Sequence, residues 1–190
     1  MINMKKLMMI FLIFSSLFGF SQSVEEIKKE ISGSCKIDEN GNVYYQKIIE
    51  SNDKSKDEIF TIIQSYFTYF YGGDARKVIQ LKDKEKGLLL AKGYYVVRGN
   101  LNNNTATIAY HVIKAEIKDN KTRITITLTQ YEVPPSVVFG IVNNISETCP
   151  ISPNFNNKKW WARTFYIAHN SVMSSFKEIE NSLKTKDENW

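Results

Sequence analysis

The stretch from Thr105 to Val133 constrains this chain more than any other. Residues 105–118 and 121–133 are long runs rich in β-branched residues, joined over Asp119-Asn120, and that reads as an antiparallel hairpin. In the second arm Ile124, Ile126 and Leu128 alternate with Arg123, Thr125, Thr127 and Thr129, the pattern of a strand buried on one side. A slip of one residue would put those apolar side chains in water, so the register is expected to be firm. The first arm sets Ala109, Ile113, Ala115 and Ile117 against Ile108, Tyr110 and Val112, apolar on both faces as far as Lys114. Pro134-Pro135 ends the pairing, because proline brings no backbone donor to a ladder.

A sheet of this kind needs a partner layer, and two amphipathic segments supply it. From Ser55 to Tyr71, Ile59, Ile62, Ile63, Tyr66, Phe67 and Phe70 recur at three and four, one stripe of a helix. Ser55 and Glu58 form a capping box at its start, and Gly72-Gly73 marks its stop. From Trp161 to Leu183, the residues Trp161, Phe165, Ala168, Val172, Phe176, Ile179 and Leu183 repeat the pattern. Both helices are expected on the same side of the sheet.

The remaining strands read as Val43–Ile49, Val78–Leu81 and Leu88–Val97, with 82–87 (KDKEKG) as a hairpin turn. In Leu88–Val97 both faces are largely apolar, so this strand is expected inside the sheet and at least partly covered twice. If the strands flanking the first helix lie parallel in the sheet, their crossover is right-handed. The order strand, helix, four strands, helix defines an α+β layer: an antiparallel twisted sheet with two helices packed on one face. Residues 22–38 form an N-terminal arm, where Val24, Ile27 and Ile31 share one side of a short, loosely placed helix. Residues 134–160 are a long connection, read either as a lid or docking surface or as a short helix at 136–143 followed by a loop. One domain over 39–183 is thus expected, with 184–190 as a frayed tail.

The first 21 residues are expected to leave. Lys5 and Lys6 precede an apolar run from Leu7 to Phe18, and Gly19 and Ser21 occupy the small-residue positions of a signal-peptidase site before Gln22. The run is shorter than the about 18–20 residues that span a bilayer, so the mature chain is read as exported, most simply to a periplasm, and not membrane-spanning. Loss of 1–21 from 190 residues removes two lysines and no acid, taking the formal charge from +5 to +3. The remaining lysines alternate with acids, as in KDKEK at 82–86, and make no basic stripe for nucleic acid. Cys35 and Cys149 are an even count in an oxidising compartment, which permits one disulfide worth about 4–5 kcal/mol across so long a loop.

Little in the chain carries chemistry. His111 sits mid-strand and His169 beside an apolar helical stripe, and both read as structural. No HExxH or cysteine cluster calls for a metal, no glycine-rich loop for a phosphate, and no serine lies in a nucleophile elbow. No catalytic residue, cofactor or metal ligand is expected. Aromatic residues are the remaining signal: most belong to the core, and Tyr69, Phe139 and Trp160 stand out as a candidate interaction surface.

The runs ENGNVYYQKIIE, SKDEIFTIIQSYF, VIQLKDKEKGLLLAKGYY and ITITLTQY resemble an exported Bacteroidota family, a domain of unknown function with a fold like the TATA-box-binding protein. The resemblance covers residues 39–133 and implies a TBP-like β-α-β4-α fold, without implying an activity or any site residue. The expected function is a non-catalytic binding or assembly module of the cell envelope, acting through a sheet face or edge on an envelope protein. The alternatives are a periplasmic carrier of a small apolar ligand, held between helices and sheet near Phe70, and an enzyme with a dispersed site.

Overall fold

Ser55 begins the central helix through the reciprocal bonds of a capping box. Its hydroxyl accepts from the Glu58 backbone N–H (3.3 Å), and the Glu58 carboxylate accepts from the Ser55 backbone N–H (2.7 Å). The computed structural model describes residues 23–51, 53–70, 78–98, 106–132, 136–138, 141–143 and 159–184, with the side chains of 136–143 excepted. Its elements are α1 (Val24–Ile31), β1 (Lys36–Ile37), β2 (Val43–Glu50), α2 (Lys56–Phe70), β3 (Ile79–Asp83), β4 (Leu88–Arg98), β5 (Thr107–Lys118) and β6 (Lys121–Glu132). A two-stranded pair follows, β7 (Ser136–Val138) and β8 (Ile141–Asn143), and then α3 (Lys159–Lys184). The glycine stop, the 1–21 leader and the 184–190 tail beyond Lys184 lie outside the described residues.

Strands β1 to β6 form one antiparallel sheet in the order β1-β2-β6-β5-β4-β3. Strand β6 inserts between β2 and β5, so β2 and β3 run in the same direction with three strands between them. Helix α2 therefore carries the chain from one side of the sheet to the other, and the parallel neighbours that a simple β-α-β crossover would make do not form. The β5–β6 hairpin turns over Asp119-Asn120, with Asn120 at a φ of +64°. This turn also anchors α2: the Asp119 carboxylate accepts from the Lys56 backbone N–H at 2.7 Å, where a free N–H and the positive end of the helix favour an anion. Gly87 closes the β3–β4 turn at a φ of +66°, and a Cβ there would stand 2.3 Å from the Ile117 carbonyl oxygen. Only glycine fits both conditions.

All three helices lie on one face of the sheet. Opposite them the strands turn inward Val43, Tyr45 and Ile49; Leu89, Ala91, Tyr95 and Val97; Ala109, Ile113, Ala115 and Ile117; and Ile124, Ile126 and Leu128. The stripe on α3 is the expected one, with Trp161 half-buried and the rest buried. On α2 the buried set is Ile59, Phe60, Ile63 and Phe67; Ile62 and Tyr66 are half-buried and Phe70 is 38% exposed. The stripe is thus turned toward Phe60, since the other flank faces α3, where the Tyr66 hydroxyl donates to Glu178 at 3.3 Å. Each fully buried Ile or Phe contributes about 1.5–3 kcal/mol relative to exposure.

Three sequence expectations are corrected. The arm does not lie loosely: Ile27 and Ile31 are buried in the core, Ser23 and Glu26 make a second capping box, and β1 pairs with β2. A helix at 136–143 does not form, and the β-branched run builds the β7–β8 pair. Strand β4 is covered once, because no helix crosses its other face among the described residues.

Candidate functional site on the bare face of the sheet

The face turned away from the helices is built from the other half of each strand's alternation. Tyr94 of β4 stands opposite Tyr110 of β5, with ring centroids 6.3 Å apart in an edge-on arrangement. Beside them Val96 pairs with Ile108, and Lys92 with Val112. Tyr94 is 46% exposed and Val96 39%; Leu81 of β3, 44% exposed, shares the face but stands opposite Leu90 in the row of Lys114, apart from this cluster. The Tyr110 hydroxyl donates to the Glu132 carboxylate, and that bond, helped by burial, pushes its pKa up to about 12. Large apolar side chains left this exposed on a contiguous surface mark an interaction site more often than a defect.

The other half of the same face is ionic. The Glu116 carboxylate takes two bonds from the Arg123 guanidinium, both 2.9 Å, and lies 3.4 Å from Lys114. Arg123 first and Lys114 second hold that carboxylate below its ordinary range. Thr125, Thr127 and Gln46 continue the polar surface, and a shallow cleft of about 200 Å³ lies between Ile48, Glu50 and Arg123. Aromatic and apolar side chains at one end of a sheet face, with polar and charged ones over the rest of it, are the composition of a protein–protein interface.

The residues singled out from the sequence lie elsewhere. Tyr69 is 91% exposed near the end of α2, on the helix layer. Trp160 is 37% exposed at the start of α3, edge-on to Trp161 (4.5 Å) and under the Arg98 guanidinium (5.4 Å). The end of α2 meets α3 at Glu178, and the helical rise puts Trp160 about 27 Å further along α3, so Tyr69 and Trp160 form no common site. The side chain of Phe139 lies outside the described residues. Tyr69 instead borders a groove of about 740 Å³ along α2, with Ile62, Tyr66, Lys54, Lys84 and Ser182.

Both histidines are core residues. His111 is buried against the ring of Tyr95 (4.0 Å), and burial lowers its pKa to about 3, so it is neutral. His169 is buried with its Nδ1 3.2 Å from the Tyr45 hydroxyl, and burial lowers its pKa too. Cys35 carries a half-buried free thiol next to the same hydroxyl, its pKa raised by burial. Cys149, the partner that the sequence permits for Cys35, lies outside the described residues. Among the described residues no three His, Cys, Asp or Glu side chains gather as a metal site. Among them, too, no helix is long and apolar enough to cross a membrane.

Tyr94 and Tyr110 were missed in the sequence because alternation names two faces of a strand without saying which one is covered. The available signal was charge: Lys92, Lys114 and Glu116 share their parity, and none belongs in a core.

A six-stranded antiparallel sheet with its helices on one side places the protein in the α+β class with a TBP-like fold. Residues 45–132, from β2 to β6, match the model of the DUF4468 family, a domain of unknown function with TBP-like fold. A solved DUF4468 family protein from Bacteroides ovatus superimposes with a TM-score of 0.52 at 11% identity, covering 84% of this chain and 95% of that one. A TBP-like protein from Parabacteroides distasonis is 21% identical with a TM-score of 0.47, over 76% and 96% of the two chains. No curated protein matches the chain. The family resemblance read from the sequence is thereby shown, as is the fold.

Proposed function

We propose that the protein is an exported, non-catalytic binding module of the bacterial cell envelope that takes a partner protein on the bare face of its sheet. The observation that carries this reading is the outward-facing cluster of Tyr94, Val96 and the half-buried Tyr110 at one end of β4 and β5, with the Glu116–Arg123 pair on the same face toward their other end. The ionic flank favours a protein over a lipid surface, since it offers paired charges to match rather than an even apolar plane. Export rests on the leader at 1–21, and mass spectrometry of periplasmic protein should find a chain beginning at Gln22. The non-catalytic reading is supported by the two histidines, which are neutral and used up in the core. A photo-crosslinking phenylalanine analogue at Tyr94 should trap one partner in intact cells, and Val96→Asp should abolish that adduct. Equal trapping from position 69, or trapping that survives Val96→Asp, would overturn the reading.

A second reading, a carrier of a small apolar ligand, is favoured by the groove along α2. Phe60, Phe67 and Phe165 fill the space between helices and sheet, so such a ligand would lie against Ile62, Tyr66 and Tyr69. Native mass spectrometry distinguishes the two: a co-purifying small mass lost in Tyr66→Ala supports the carrier, and a clean apo mass sinks it.

A further inference from the structure

Strand β2 is the edge of the sheet for most of its length. Its neighbour β1 is two residues long and covers only Val43 and Tyr44. From Tyr45 to Glu50 no described residue pairs with its outer side, while its inner side follows β6 without interruption and Ser51 adds one more bond, to the Asn120 carbonyl (2.7 Å). An open edge this long is a template for another strand. Ser51 is spent, its N–H on the Asn120 carbonyl and its own carbonyl on the Lys54 N–H (3.2 Å), so the free stretch is Gln46 to Glu50, centred on Ile48, whose side chain is 60% exposed.

We infer that β2 is a dimer edge: two copies of this chain pair antiparallel along Gln46–Glu50, with Ile48 opposite Ile48 of the second copy. A two-fold axis normal to the sheet allows only registers in which some residue faces itself, so the choices are few. Centring on Lys47 sets lysine against lysine, and centring on Glu50 sets glutamate against glutamate; like charges directly opposed are destabilising. Centring on Ile49 places each exposed Ile48 against Glu50. Centring on Ile48 pairs the two isoleucines and sets each Gln46 against Glu50, an amide donor facing a carboxylate. The Gln46 amide spends one N–H on Thr125 Oγ1 (3.2 Å) and keeps a second. Lys47 is directed to the helix layer, where Glu180 holds it at 2.6 Å, so it does not oppose the pairing. Each copied strand stops at Glu50, short of its neighbour's β1, which opposes Val43 and Tyr44. The result is one twelve-stranded sheet, in which the two bare faces join and Tyr94 and Tyr110 remain uncovered.

Sedimentation equilibrium of the mature protein at high micromolar concentration should give twice the chain mass, and Ile48→Lys should return it to one. The unfolding midpoint of Ile48→Lys checks that its fold is intact. Register is read by cysteines under mild oxidation, against unsubstituted protein as baseline. Ile48→Cys should form a covalent dimer, since opposed Cα atoms lie about 4.5–5.5 Å apart and within disulfide reach. Gln46→Cys alone should not, whereas Gln46→Cys with Glu50→Cys should. A monomer at every concentration, as expected if the edge takes a foreign strand or none, would overturn the proposal. So would a dimer indifferent to Ile48→Lys, or one cross-linked by Gln46→Cys as readily as by Ile48→Cys.

Discussion

The two faces of the sheet are made by the same strands and come to opposite ends. Along β4, Leu89, Ala91, Tyr95 and Val97 are buried, while their neighbours Tyr94 and Val96 stay 46% and 39% exposed. Along β5, the inward residues include His111 and the outward ones Tyr110. The inner face is closed by α1, α2 and α3 and stabilises the fold. The outer face keeps apolar groups in water with no packing inside the described chain to justify them. That difference teaches that Tyr94 and Tyr95, adjacent and chemically identical, do different jobs: one is stability and the other is surface.

The comparison predicts a steep asymmetry between substitutions. Phe165→Ala, in the inner layer, should cost about 3–5 kcal/mol, read as a fall in the urea midpoint. Next, Gly87→Ala should cost on the order of 2–3 kcal/mol, because it meets both a left-handed backbone and the Ile117 carbonyl. At the other end, Tyr94→Ser should change stability by no more than about 0.5–1 kcal/mol, because its ring is half in water and its loss opens no cavity. A Tyr94 variant as damaged as Phe165→Ala would erase the distinction between the faces.

A smaller, pH-dependent effect belongs to the inner face alone. His111 has a folded pKa of about 3 against a reference of 6.5, so the unfolded chain takes up its proton first. Stability from this group is complete above 6.5 and falls as pH drops from 6.5 toward 3, and the lowered pKa of His169 acts in the same direction. Between about pH 6.5 and 5 the carboxylates of the unfolded chain stay mostly ionised, so the histidines dominate the slope there. Unfolding midpoints across that window should decline in the wild type and flatten in His111→Gln. An unchanged slope in the variant would show that His111 is not buried neutral.

How much of this was legible in the sequence depends on whether local pattern or distant pairing decides. Ile124, Ile126 and Leu128 announce β6 because their alternation needs only one face buried. The Ser55–Glu58 box and the stripe from Phe165 to Leu183 are local as well, and both helices stand where periodicity puts them. The insertion of β6 between β2 and β5 is set by contacts such as Gln46 with Thr125, 79 residues apart, which no local pattern records. Phe60 falls off the ideal stripe and is buried on the flank of α2 away from Tyr66 and α3, a tertiary fact. The bare face was hidden for the most physical reason: β4 and β5 are apolar on both sides, and only the position of the helices says which side they cover.

The central claim is that the outer face is a docking surface, and tyrosine labelling tests it most directly. Tyr94 lies on that face and Tyr69 on the helix layer, so each is a control for the other. With a tyrosine-modifying reagent, Tyr94 should react in purified protein and be protected several-fold in intact cells, while Tyr69 reacts alike in both. Equal labelling of Tyr94 in the two settings would contradict the account.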